Sequence, residues 1–442
     1  MKRTLRTLIL AGLGCSALVA SAPATSSAQA VTQPGQSTVV AADPVIAWNQ
    51  FLLDLQATPG DQPATVHPTY DLAMVHTAIH DAVVSIDHSD RRYLVGVRPE
   101  QGASAAAAAD AAAHDMLVRL YPAQRGAIDQ QYATLLARVS PKHKAAGVRL
   151  GRQVAAKLVA LRARDGSAAA PVPFQPGTNA GDYQLTPPAL TPPVFTHWSQ
   201  VKPFLLRRAN QFRPAPPLAL TSPKYAAAIN EVKALGSAEG STRTPDQTQI
   251  GLFWNPPIWA AWNRIALTVA VAHHSGLSQN ARTFGALNVT FADSVIAFYD
   301  AKYAYHVWRP VTAIRAADAD GNPDTAGDPN WTPLSATAPD PSYPGAHGTI
   351  SAAGADVLAA AYGNDVPFTA TSPALPGVER SFVSFSEAAE EASVSRIYNG
   401  NHTRLDEVAG ENLGHAVANA VVDRDVPKFS VPIKATPSSG TH

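Results

Sequence analysis

The segment 171–223 constrains the fold more than any other part of the sequence. It holds 12 prolines, including the pairs Pro187-Pro188, Pro192-Pro193 and Pro216-Pro217. Proline fixes φ and lacks an amide hydrogen, so no helix interior or central strand accommodates such a run. A long extended connection follows, wrapped over a helical body or joining two of them. Before it, segments 45–55, 70–86, 104–120, 123–139 and 142–164 are rich in alanine and place apolar residues three and four apart, the pattern of helices with a buried face. After it, the same pattern returns at 225–235, 259–274 and 278–307, stops at Pro310, and reappears at 347–362, 386–397 and 403–422. A loop rich in Asp, Gly, Asn and Pro occupies 318–344. No internal repeat and no run of alternating strands interrupts this. The expected class is all-α, two helical bundles with long proline-rich connections.

The ends are read separately. Lys2, Arg3 and Arg6 precede an apolar run from Leu8 to Ala20, and Ala28-Gln29-Ala30 supplies a small-x-small cleavage pattern. Residues 1–30 are therefore expected to be an export signal, cleaved near Ala30, with the product secreted or periplasmic. The run is shorter than the ~20 residues of a membrane span, and no later segment reaches that length without charge or proline. Cleavage would remove the sole cysteine, Cys15, and three bases, taking the chain from 34 basic and 34 acidic side chains to a net charge of −3. No block of one sign is present, which argues against a nucleic-acid partner. Residues 31–434 are expected to form the catalytic helical domain and 435–442 a frayed tail.

Three segments could carry chemistry. In Lys302-Tyr-Ala-Tyr-His-Val-Trp-Arg309-Pro310 the two cations are seven residues apart, about 700° of helical rotation and within about 20° of two full turns, so they are expected to project from one helix face. A solvated basic stripe is the bland alternative, but Tyr303, Tyr305, Val307 and Trp308 interleave the pair. In Pro341-Ser-Tyr-Pro-Gly345-Ala346-His347 a turn runs into a helix, and unpaired amides at a helix start favour an anion. In Ser395-Arg396-Ile-Tyr-Asn-Gly-Asn-His402 a break at Asn399-Gly400-Asn401 lets Arg396 and His402 face one point from different elements. Asp406 and Glu407 suit the first turn of the next helix. Each segment alone reads equally well as structural; three together bring cations and histidines to turns that can converge.

The combined order, Lys-x6-Arg-Pro, Pro-Gly-Ala-His, then Ser-Arg-x5-His, resembles the vanadium-dependent haloperoxidases, which belong with the phosphatidic acid phosphatase type 2 superfamily. The resemblance extends upstream through Phe253-Trp-Asn-Pro-Pro and Trp262-Asn263, and downstream through Thr403-Arg404-Leu-Asp406 and Gly410 to Gly414. It implies a haloperoxidase-like, acid-phosphatase-like helical fold. It also implies vanadate as cofactor, held through a ring nitrogen of His402 and bound by Lys302, Arg309 and Arg396. His347 would be the acid/base and Lys302 would polarise bound peroxide. The substrates implied are hydrogen peroxide and halide, bromide or chloride, with a small organic acceptor where one exists. One departure matters: the family's Pro-Ser-Gly-His is here Pro344-Gly345-Ala346-His347. The serine hydroxyl is missing, leaving the backbone at Gly345 and Ala346 to meet the oxyanion at a cost of about 0.5–1.5 kcal/mol for one neutral hydrogen bond. Ser342 is a candidate substitute, and Tyr299 stands where the family often places a tryptophan near the halide approach.

Other readings use the same residues or different ones. Phosphate shares the tetrahedral geometry of vanadate, so an acid phosphatase working through a phosphohistidine at His402, with His347 protonating the leaving alcohol, is the nearest alternative. A degenerate protein that only binds an oxyanion is a second; retention of both His347 and His402 argues against it. A zinc hydrolase built on His76 and His80 is a third, opposed by Thr77 where a glutamate is needed. Large alanine-rich helical faces are compatible with a homodimer.

Overall fold

The computed structural model describes residues 43–425; the expected export signal with Cys15 and the tail at 435–442 lie outside the described residues. The N-terminal helices follow the predicted segments closely. Helix α1 (Pro44–Ala57) starts on Asp43, whose carboxylate accepts the amides of Val45 and Ile46. Then come α2 (Pro68–Asp87), α3 (Ala105–Leu120), α4 (Arg125–Ala137) and α5 (Pro141–Arg162). Helix α2 is buried on almost every side, the mark of a central helix. Alanine in α3 and glycine in α5 explain how closely those two approach. A Cβ on Gly147 or Gly151 would lie 2.3 Å or 2.2 Å from the carbonyls of Ser104 and Ala108.

After the connection come α6 (Pro223–Leu235), α7 (Pro245–Phe253), α8 (Ile258–Ala272) and α9 (Leu277–Tyr305), then α10 (Pro310–Arg315), α11 (Ala346–Tyr362), α12 (Phe385–Tyr398) and α13 (Arg404–Asp425). Helix α9 is the shared element: it packs on α2 on one side and on α11 and α13 on the other. The two groups of helices therefore share one continuous apolar core. A smaller cluster around Trp308, Ile314 and Trp331 lies beneath α6 and α10.

The proline-rich connection is extended, as its composition predicts, and is tied to α9 by polar contacts. Both oxygens of the buried Asp293 accept the amides of Phe204, Leu205 and Leu206 at 2.6–2.8 Å. Tyr305 and Tyr343 donate their hydroxyls to the carbonyls of Pro214 and Ala215. The connection thereby covers the C-terminal end of α9, where the candidate residues lie.

Three features differ from the sequence reading. Helix α7 was not anticipated, although Thr244 and Gln247 form a capping box around Pro245 at its first position. A short antiparallel hairpin, β1 (Phe368–Thr371) with β2 (Glu379–Phe382), adds a little strand to a helical fold. It is too short to show clear alternation, and it buries Phe368 and Phe382 against Phe385 and Trp254. The third difference is at Pro310, which does not end a helix but starts one. Helix α9 stops at Tyr305, His306 takes a left-handed conformation with φ 52°, and Arg309 is the extended N-cap of α10. Proline at 310 disfavours a helical conformation at the residue before it and tolerates the first position of a new helix.

The approach of α13 to the start of α11 decides where the site forms. A Cβ on Gly410 would lie 2.2 Å from the carbonyl oxygen of Gly345, and one on Gly414 2.2 Å from that of Thr349. In an open helix Gly→Ala gains roughly 1 kcal/mol, whereas overpacking against backbone costs about 1–3 kcal/mol. The second term should win for Gly410→Ala: chemical denaturation is expected to show a net loss of stability, and a gain would mean that α11 and α13 are not held this closely.

Candidate functional site

The segments nominated from sequence meet at one place, through local structure that differs in part from the expectation. Lys302 and Arg309 do not share a helix face, because the chain turns between them. They converge instead on Asp340, which the sequence reading did not single out. Its carboxylate oxygen lies 3.2 Å from Lys302 Nζ and is hydrogen-bonded to the Arg309 guanidinium. The backbone carbonyl of Asp340 accepts Arg309 Nε–H at 2.7 Å. Lys302 also donates to the carbonyls of Pro341 and Ser342. An ammonium has three donors, so all three of Lys302's are engaged by the loop that carries Asp340.

Arg309 reaches the third segment as well. Its other terminal nitrogen donates to the carbonyl of Asn401 and to His402 Nε2, each at 3.0 Å. A guanidinium can only donate, so His402 Nε2 carries the lone pair and Nδ1 carries the hydrogen. Nδ1 lies 3.3 Å from Ser342 Oγ, which itself donates to Asp406 at 2.9 Å. Ser342 is therefore a link between His402 and Asp406. Asp406 in turn accepts the amide of Thr403 at 2.7 Å and caps α13, and its side chain orients the histidine besides meeting the helix start.

Gly400 permits the turn that brings His402 round. It has φ +81°, and a Cβ there would also meet the carbonyl of Gly236 at 2.6 Å. The amides of Asn401 and His402 fold back onto the carbonyl of Arg396. Arg396 is 6% exposed; its Nε is buried without a partner among the described residues, and one terminal nitrogen lies 3.3 Å from Asn255 Oδ1. The Trp254-Asn255 pair thus serves both sides of the site. Asn255 meets Arg396, while the carbonyl of Trp254 accepts His347 Nε2–H at 2.9 Å. That bond fixes the other nitrogen of His347, Nδ1, as the one with a lone pair, on a half-buried ring two residues after the N-cap of α11. Only the Trp-Asn-Pro-Pro pattern hinted at this in the sequence.

The start of α11 departs from the expectation of free amides. Gly345 N–H donates to the carbonyl of Asp406 at 2.8 Å, and Gly348 N–H to the carboxyl of Glu407 at 2.7 Å. Ala346 and His347 lie between them, half-buried, with no acceptor for their amides among the described residues. Glu407 turns inward and fills the space beside Gly345: a Cβ on that glycine would be 2.1 Å from Glu407 Oε1. The serine that the haloperoxidase pattern carries would not fit without moving Glu407.

Burial sets the charge of the cluster. It lowers Lys302 to about 8 and Arg396 to about 10, both still cationic near neutrality. Burial drives His347 and His402 well below the usual histidine value, reinforced chiefly by Arg396 for the first and Arg309 for the second. Both imidazoles are neutral. Burial also raises Asp406, and it raises Glu407 to about 8, whereas for Asp340 the charges of Lys302 and Arg309 outweigh burial and hold the carboxyl at about 2. Three cations face one firmly ionised acid, so the cluster suits an anion. Tyr299 is buried within hydrogen-bond range of Asp340 at 3.3 Å. His76 and His80 have separate partners elsewhere, in Asn49 and in Asp81.

Residues 282–428, which contain every nominated residue, match the VCPO second helical-bundle domain family. The chain is 26% identical to the vanadium chloroperoxidase of Curvularia inaequalis over 43% of its own length and 41% of that protein's, so it spans about two fifths of the curated relative. Among solved structures it resembles a bacterial vanadium-dependent iodoperoxidase, with a TM-score of 0.72 and 23% identity over 86% of this chain and 94% of that one. It also resembles a holo-type bacterial vanadium-dependent chloroperoxidase, with a TM-score of 0.64 and 15% identity over 88% and 94% of the two chains. The overall fold is that of the vanadium-dependent haloperoxidases, and residues 282–428, where the candidate residues lie, match their second helical-bundle domain.

Proposed function

We propose that the cluster binds vanadate and that the protein is a haloperoxidase, oxidising bromide or chloride with hydrogen peroxide to hypohalous acid. The observation that carries this reading is the lone pair of His402 Nε2 set among the buried cations Lys302, Arg309 and Arg396, inside the segment that matches the family. A bare metal cation does not suit so basic a donor set. A tetrahedral oxyanion does, because it offers acceptors to the unpartnered Nε of Arg396 and to the amides that lead into α11.

In this reading His402 Nε2 would hold vanadium in place of the Arg309 hydrogen it now accepts, and Arg309, Arg396 and the amides of Ala346 and His347 would hold its oxygens. Gly345 contributes the turn rather than its amide, which Asp406 already accepts. Lys302 acts through its charge, its donors being engaged by the Asp340 loop. Bound vanadate supplies Lewis-acid activation of peroxide without a change of oxidation state. The protein's own part is proton handling and exclusion of water. Neutral His347, held by the Trp254 carbonyl, has Nδ1 available to take a proton from entering hydrogen peroxide and to return it as hypohalous acid leaves. His402 keeps Nε2 unprotonated because its hydrogen sits on Nδ1, facing Ser342 and Asp406.

The phosphatase reaction needs His347 protonated, to donate to the leaving alcohol. Burial beside Arg396 lowers the proton affinity of His347, which weighs against protonation in the phosphatase and against basicity in the peroxidase alike, so the assay decides between them. The full chain, stripped of anions and titrated with orthovanadate, is expected to oxidise bromide only once vanadate is present, and added phosphate should suppress the activity. No bromide oxidation, with hydrolysis of p-nitrophenyl phosphate instead, would replace this reading by the phosphatase. His402→Ala should abolish vanadate retention in equilibrium dialysis. His347→Ala should retain vanadate but lose turnover by on the order of 10²–10⁴-fold, the usual worth of a general acid–base. Full activity in both variants would refute the site.

A further inference from the structure

Asp340 stands against two of the three cations that an oxyanion would need. Its carboxylate contacts both Lys302 and Arg309, its backbone carbonyl takes a further hydrogen of Arg309, and the same guanidinium touches His402 Nε2. A fixed negative charge therefore lies one guanidinium away from the nitrogen proposed to hold the oxyanion. The other groups facing this point are Tyr299 and Lys302 from α9, Arg309 from the start of α10, His347 from α11, Arg396 from α12, and His402, Asp406 and Glu407 at the start of α13. Of the three carboxyl groups, Asp406 and Glu407 are shifted by burial toward the neutral form, while Asp340 is held ionised by its two partners.

Repulsion between a fixed charge and a ligand grows in proportion to ligand charge, and the cost of taking the ligand out of water grows faster still. We propose that Asp340 is the anion-selecting residue of this site: its negative charge, laid against Lys302 and Arg309, disfavours doubly charged tetrahedral oxyanions relative to singly charged ones. The inference rests on the oxyanion-binding reading above. It bears on the choice between the two chemistries, since vanadate near neutrality is mainly a monoanion while phosphate is divided between monoanion and dianion.

The test uses probes whose charge does not change with pH: perrhenate, a permanent tetrahedral monoanion, and sulfate, a permanent dianion. Each is measured as a competitor of vanadate bound to the full chain, at one pH and one ionic strength, by equilibrium dialysis. Removing one charge at this range changes binding of a monoanion by on the order of tenfold and of a dianion by on the order of a hundredfold. Asp340→Asn should therefore tighten sulfate about tenfold more than perrhenate, and Asp340→Glu should leave the ratio near that of the native protein. An unchanged ratio in a folded Asp340→Asn, confirmed by its circular dichroism, overturns the proposal. So does an Asp340→Glu protein whose ratio moves as far as that of Asp340→Asn, since glutamate keeps the charge. Failure of the native chain to retain vanadate at all would instead overturn the oxyanion reading itself.

Discussion

The contact of Asp340 with Lys302 and Arg309 is the interaction on which the rest of the site depends. Lys302 lies in the last turn of α9, Arg309 caps α10, and Asp340 belongs to the loop that leads to α11. Through Arg309 the same cluster reaches the loop between α12 and α13. Burying an unpaired ammonium or guanidinium costs several kcal/mol, and a buried pair offsets that cost only when the remaining donors also find acceptors. Here all three donors of Lys302 and four of the five of Arg309 do, through Asp340, the carbonyls of Pro341, Ser342 and Asn401, and His402. Four segments are thereby held in one geometry by charge that none of them could bury alone.

Packing supplies what the ion pairs cannot. Helix α13 approaches the start of α11 so closely that backbone touches glycine at 410 and 414, which brings the turn holding His347 beside the turn holding His402. The carboxyl of Glu407 then occupies the space next to Gly345 and accepts the amide of Gly348. At Gly345, the position of the serine in Pro-Ser-Gly-His, a side chain would require the inward carboxyl of Glu407 to move.

Much of this was legible in the sequence, and the failures have identifiable physical causes. Helical periodicity located most of the helices because each hides an apolar face, and the proline count located the extended connection. Residue types at turns nominated Lys302, Arg309, His347, Arg396 and His402, which do converge. The inferred route for the first pair was wrong. A seven-residue spacing means a shared face only if the helix continues, and His306 in a left-handed conformation ends it three residues earlier. Asp340 escaped because an acid in a proline-rich loop reads as a solvated turn residue. Only the fold shows that it faces two buried cations. Trp254 and Asn255 were visible as part of a pattern, but their function lies in a backbone carbonyl and a side-chain amide aimed across the site, and sequence periodicity carries no information about such aim.

The tautomers of the two histidines follow from this arrangement and give the site a direction. Arg309 can only donate, so His402 must present a lone pair at Nε2; the Trp254 carbonyl can only accept, so His347 must present its lone pair at Nδ1. Burial and neighbouring positive charge keep both rings neutral. Each ring thus carries a lone pair on one defined nitrogen before any ligand enters. A carboxylate beside His347 would raise its proton affinity. Instead the neighbour there is Arg396, and the acid that remains ionised, Asp340, lies on the far side against Lys302 and Arg309. The distribution of charge, more than the inventory of residues, leaves a lone pair on each ring beside buried cations, and an oxyanion held there would offset those cations and raise the proton affinity of His347.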